Sequence, residues 1–168
     1  MELKRWHYDG KSIMDKRVRI MTKAYELLRK YEEGEKARSE EWQRITSKVK
    51  ELVSGFDKYL NGNDRDSVAV VKLGLRDKIR IREVDVEQLQ YDENNVVCFS
   101  VIVSLNKAME IVAKESLDLS CVRYHAGFSI TVDGTEESII VGGYQGDNTE
   151  VFELMYVGLE AKFFNPQS

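Results

Sequence analysis

The sequence predicts an α+β fold, with an N-terminal helical layer packed on a mainly antiparallel sheet of five to six strands with one short inserted helix. Three observations predict it: apolar residues recur at helical spacing as far as residue 60, a turn-rich cluster follows at 61–67, and alternation with period two begins at Val68. A run of helix followed by a run of strands is the element order of α+β domains.

The elements follow in chain order. Met14, Val18, Met21, Tyr25 and Leu28 recur at 4, 3, 4 and 3 residues, which sets them on one helix face. Trp42, Ile45, Val49, Leu52, Phe56 and Tyr59 form a second stripe, and between the two the polar stretch YEEGEKARSEE, containing Gly34, breaks the register. Two readings follow: an antiparallel helical hairpin that turns at this stretch, or one long helix through it. A glycine inside a helix costs only about 1 kcal/mol, so Gly34 does not force a turn. The hairpin is the preferred reading, because one helix that long leaves much of its stripe uncovered without a partner chain.

The cluster NGNDRDS (61–67) carries turn chemistry and separates a helical layer (1–60) from a sheet layer (68–164) within a single domain (1–168). VAVVKL (68–73) reads as a strand, GLRD as a turn, and KIRIREVDV (78–86) as an alternating strand. VVCFSVIVSL (96–105) is a continuous apolar run, as in a central strand. NKAMEIVAKES (106–116) reads as the inserted helix with Asn106 as its cap. LSCVRYHAGFSITV, SIIVGGY (138–144) and EVFELMYVGLEAKFF (150–164) complete a meander of strands.

Composition bounds the function. With 42% hydrophobic and 32% charged residues over 168 positions, the chain has the make-up of a globular domain long enough to bury a core. The N-terminal segment has no apolar signal region and no run suits a membrane span, so a cytoplasmic location, or a host cytoplasm for a virus-encoded protein, is expected. Cys98 and Cys121 sit in apolar runs and read as free buried thiols. Residues 1–60 hold 15 Lys and Arg against 11 Asp and Glu, a surplus too small to imply nucleic-acid binding.

Chemistry-bearing patterns are scarce. Neither His7 nor His125 falls in a metal or triad pattern, and no phosphate loop or clustered cysteine occurs, so no catalytic residue, metal ligand or cofactor is assigned. Ser129 lies four residues beyond His125, roughly 13 Å along an unbroken strand, too far to hydrogen-bond. One cationic constellation stands out: Arg76, Lys78, Arg80 and Arg82 alternate with Ile79 and Ile81 and would point to one side, where Arg123 and His125 would extend an anion-binding face. A second is the stripe of Trp42, Ile45, Val49 and Phe56, which would bind another protein or a second copy.

The function expected is a non-catalytic protein-interaction module of adaptor, inhibitor, immunity or virus-encoded accessory type. It would have another protein as partner, or form a homodimer through the N-terminal helices. The alternative is a binder of a nucleotide or nucleic acid through the cationic strand face, extending to an enzyme on a phosphorylated substrate.

Overall fold

The computed structural model describes residues 10–62, 68–133, 135, 138–142 and 146–164. The chain divides into two compact units, Met1–Trp42 and Gln43–Ser168. Helix α1 runs from Gly10 to Asn61 as one element, and its part before Gln43 is the sole described element of the first unit.

The expected hairpin is therefore replaced by the single-helix reading. The polar stretch stays helical because its charges pair along the helix surface: Arg29 with Glu33 at 3.6 Å, Lys36 with Glu40 at 3.9 Å, and Arg38 with Glu35. No proline interrupts it, and open space surrounds Gly34. The helix stops at Gly62, whose φ of +58° suits the glycine after a helix end and whose N–H donates to the Lys58 carbonyl at 2.8 Å. Asn61 then ties the end to the sheet, donating to the Ala69 carbonyl at 2.9 Å and accepting from the Ala69 N–H at 3.0 Å.

The second unit contains a six-stranded sheet. Its strands are β1 (Ala69–Asp77), β2 (Arg80–Glu83), β3 (Val97–Lys107), β4 (Glu110–Tyr124), β5 (Gly127–Val132) and β6 (Ser138–Gly142), followed by helix α2 (Thr149–Phe164). Their order is β2-β1-β3-β4-β5-β6, with every neighbouring pair antiparallel. Strand register assigns the two faces, since directly paired residues point the same way. One carries Leu73, Val101, Leu117 and, further across, Cys121 and Ile130. The helices pack here: a Cβ at Gly158 of α2 would stand 3.0 Å from Leu117, and Ile45, Val49, Leu52 and Phe56 of α1 are buried.

Five expected elements come out differently. GLRD is not a turn but lies within β1, where Gly74 makes room for Ile102 of β3; a Cβ there would meet Ile102 Cδ1 at 2.7 Å. The strand expected over 78–86 is split, because Lys78 and Ile79 form the β1–β2 turn and Val86–Gln88 is a 3₁₀ turn. The inserted helix at 106–116 does not exist: Ala108 and Met109, with φ of 53° and 69°, form a two-residue turn and the chain returns as β4. Two positive-φ residues in such a loop match the twist of a hairpin, so β pairing with β3 prevails over the local helical spacing. The run LSCVRYHAGFSITV likewise turns at His125 and Ala126, which sets Ser129 opposite Val122 rather than along one strand.

The fifth is the last segment, expected as a strand and found as α2. Val151, Met155 and Leu159 are buried at every fourth residue, a helical interval, and Gly158 can approach Leu117 closely. Asp147 starts the helix by accepting from the N–H of Thr149 at 2.9 Å and from its hydroxyl at 2.5 Å. Those two bonds, the hydroxyl's foremost, hold the Asp147 carboxyl below its usual range.

Between α1 and α2 lies a fully buried lysine. Lys48 Nζ donates to Asn148 Oδ1 at 2.8 Å and to Glu51 Oε1 at 3.1 Å, and stands 5.9 Å from the Phe128 ring centroid. Asn148 Nδ2 in turn donates to Glu51 Oε1 at 2.6 Å, closing a three-membered network. Close by, Phe152 of α2 fills the space left by Gly55, with its ring centroid 5.9 Å from Phe56 and 5.8 Å from Tyr59.

Candidate functional site

Helix α1 presents large apolar side chains to solvent in the first unit. Tyr25, Leu27, Leu28 and Tyr31 are 67%, 69%, 51% and 62% exposed. Ala24, Leu27, Leu28 and Tyr31 follow the i, i+3, i+4, i+7 pattern of an amphipathic helix, the stripe that such a helix ordinarily buries, and Tyr25 lies at its edge, three residues before Leu28. The helical spacing found Tyr25 and Leu28; it missed Leu27 and Tyr31, which a wider stripe than the heptad seam would have included. The helix covers Met14, Val18 and Met21 in backbone, and their side chains lie outside the described set.

The four residues expected to meet a partner are placed differently. Ile45, Val49 and Phe56 are buried in the second unit's own core, and Trp42 is half-buried. The exposed apolar residues 25–31 lie about four to six turns before Ile45 in the same helix.

The cationic row is not brought together. Arg76 pairs with Ile81 across the β1–β2 hairpin, whereas Arg80 and Arg82 pair with Asp77 and Leu75. Arg76 therefore points to the face away from the helices, and Arg80 and Arg82 to the helix side. Lys78, with a φ of 54°, occupies the turn between them. Arg123 shares a face with Phe128, opposite to that of Arg76. His125, also at positive φ (49°), sits in the β4–β5 turn with its ring edge-on to Tyr124 at 4.4 Å. The alternating pattern was misread because the chain reverses in its middle. His7 lies outside the described residues.

The face away from the helices holds a shallow depression of about 340 Å³, lined among others by Arg76, Cys98, Ser100, Asp118, Ser120 and Thr131. Asp118 organises it, accepting from Arg76 Nε through Oδ2 and from the Ser100 hydroxyl through Oδ1 at 2.5 Å. The Asp118 carboxylate is thus engaged on both oxygens, and its neighbours tie β1, β3 and β4 together. Lys72 is neutralised in the same way by Glu83, 2.8 Å away on β2. Cys98, expected as a buried thiol, is exposed, because it lies on the sheet face away from the helices. Partial desolvation and the nearby carboxylates of Asp92 and Asp118 push its thiol up, which keeps it in the unreactive protonated form near neutrality. Chemically this arrangement locks strands in register; its charges answer one another.

Among the described residues no group of three or more His, Cys, Asp or Glu is placed to hold a metal ion. No described helix is long and apolar enough to cross a membrane. Comparison with known proteins finds no family model, no curated protein and no solved structure that matches this chain.

Proposed function

We propose that the chain is a protein-interaction module whose docking element is the first unit's helix, and that its partner offers an amphipathic helix. The observation that carries this reading is the exposed stripe of Tyr25, Leu27, Leu28 and Tyr31 on an element with no other described structure in its unit. Large apolar side chains gain about 1.5–3 kcal/mol each on full burial, and a contiguous set of them on one helix marks a contact surface. Helix-in-groove and helix–helix recognition both read such i, i+3, i+4, i+7 anchors. Acidic and basic residues flank the stripe on both sides, which supports solubility before docking and register after it.

The test uses the whole chain. A protein recovered on the wild type from its source cell is purified and titrated against wild type and a Leu28→Asp, Tyr31→Asp double variant. The variant is expected to melt as the wild type does, because the altered positions are exposed, and to bind at least tenfold more weakly. Equal affinity would refute the reading. A thermal midpoint that rises with nucleotides or polyanions, unchanged in the same variant, would favour the anion-binding alternative instead.

A further inference from the structure

A second apolar surface lies at one end of the sheet, wholly within the second unit. Register brings Ala69, Leu105 and Ala113 side by side there, so the start of β1, the end of β3 and the start of β4 share that end. A groove of about 260 Å³ opens at it, lined by Leu60, Val68, Leu105, Tyr156 and Phe163, with Glu160 as its one charged lining residue. Four residues along β3 from Leu105, the β3–β4 turn carries Met109, fully exposed at its tip, and Ile111 and Val112 are 65% and 60% exposed just beyond.

That turn is built against local preference. Ala108 and Met109 both take left-handed φ values, 53° and 69°, where Asn-Gly is the favoured pair and a Cβ is disfavoured. A methionine in this position gains nothing from burial in the monomer. Strain and an exposed apolar tip coincide at one place, and residues held so are most often found where the conformation is used.

We infer that this end of the molecule is a contact between two copies of the chain, in which the Met109 tip of each enters the groove of the other. Two properties select a second copy. Tip and groove lie at the same end of the sheet, as a two-fold contact demands, since each residue must then meet its partner's counterpart reciprocally. Charge is available for pairing: Lys107 stands beside the tip, across the ladder from Glu110, and Glu160 lies in the groove, and neither Lys107 nor Glu160 forms an ion pair among the described residues. Lys107 of one copy thereby reaches Glu160 of the second. The patch is small beside a standard interface of about 800 Å² per partner, so the dimer is weak and concentration-dependent.

Sedimentation velocity on the full chain, from about 1 to about 200 µM, tests this range of affinity. Wild type is expected to pass from monomer to dimer. An Ala108→Asn, Met109→Gly variant should melt a few degrees higher, through relief of the turn, yet remain monomeric. Lys107→Glu should weaken association at least tenfold, and adding Glu160→Lys should restore it. A wild type that stays monomeric throughout overturns the inference, as does a dimer that survives the turn variant. The Leu28→Asp, Tyr31→Asp variant keeps this dimer, so helix docking and self-association fail independently; its loss in that variant would assign the dimer to α1 and overturn the contact inferred here.

Discussion

Replacing Lys48 separates the two reasons why a buried lysine matters. Its side chain is 0% exposed and donates to Asn148 and Glu51 between α1 and α2. Lys48→Ala removes a long aliphatic stem as well as the charge. It leaves a cavity, an Asn148 Oδ1 without its donor, and a Glu51 carboxylate without its cation. The cavity, together with the unmet polar groups around it, costs about 3–5 kcal/mol. Lys48→Met keeps most of the volume and removes the charge that burial penalises. Glu51 is 32% exposed at its side chain and keeps the bond from Asn148 Nδ2, so water and that amide solvate what remains. The expected loss is then about 1–2 kcal/mol, from an unmet hydrogen bond alone. The two variants should differ by about 2 kcal/mol or more, a large share of the 5–15 kcal/mol of a typical domain. Urea unfolding followed by far-UV circular dichroism reads this as two midpoints at similar slope. Equal losses for alanine and methionine would refute the reasoning, because the ion pair and not the packing would then dominate. A loss below about 1 kcal/mol for alanine would mean that Lys48 is not buried in solution.

Two further outcomes follow from the core. Burial pushes the Cys121 thiol up from its usual 9.0 to about 12, with only a small opposing effect from Lys48. Between those values the unfolded chain has lost a proton that the native state keeps, so stability is complete below pH 9 and falls by about 1.4 kcal/mol per pH unit up to about 12. Urea midpoints across that range should decline more steeply in wild type than in Cys121→Ala, where the raised Cys98 thiol still contributes; equal slopes would remove Cys121 as the main cause. Gly55→Ala sets a helix-propensity gain of about 1 kcal/mol against a Cβ that would meet the Phe152 ring at 2.6 Å, in a ring cluster with little freedom to shift. Net destabilisation is expected in thermal melts, whereas Gly34→Ala, in open space, should raise helicity by circular dichroism. A stabilising Gly55→Ala would show that Phe152 does not occupy that gap.

The misread elements share a cause. Each of the three two-residue hairpin turns places a side-chain-bearing residue at positive φ where glycine or asparagine is the usual signal: Lys78, then Ala108 with Met109, then His125. A reading that looks for Gly, Asn and Asp passes over all three. Gly74 misleads in the opposite sense, since it serves a close contact with Ile102 inside a strand. The candidate docking site was half legible. The stripe containing Tyr25 and Leu28 is a matter of spacing, but whether it stays exposed depends on whether α1 turns back, and the helix runs through the polar stretch unbroken. Lys48 was hidden because a lysine beside Ile45, Val49 and Leu52 reads as the polar edge of their stripe. Glu51 partners its ammonium from the same helix, and Asn148 completes the site from 100 residues away.

By itself the sequence determined the class of fold: apolar spacing of three and four before residue 60 and of two after Val68 obliges a helical part and a sheet part, because only those periods gather the apolar residues on one side. It also determined that Ile45, Val49, Leu52 and Phe56 share a face. Tertiary structure alone decided which face each cation takes, that 106–116 pairs as strand, and that 150–164 coils into a helix over Leu117. In these segments local preference is nearly balanced. Pairing with β3 in one case and packing of Val151, Met155 and Leu159 in the other supply the larger free energy, and such contacts exist only between residues far apart in the chain.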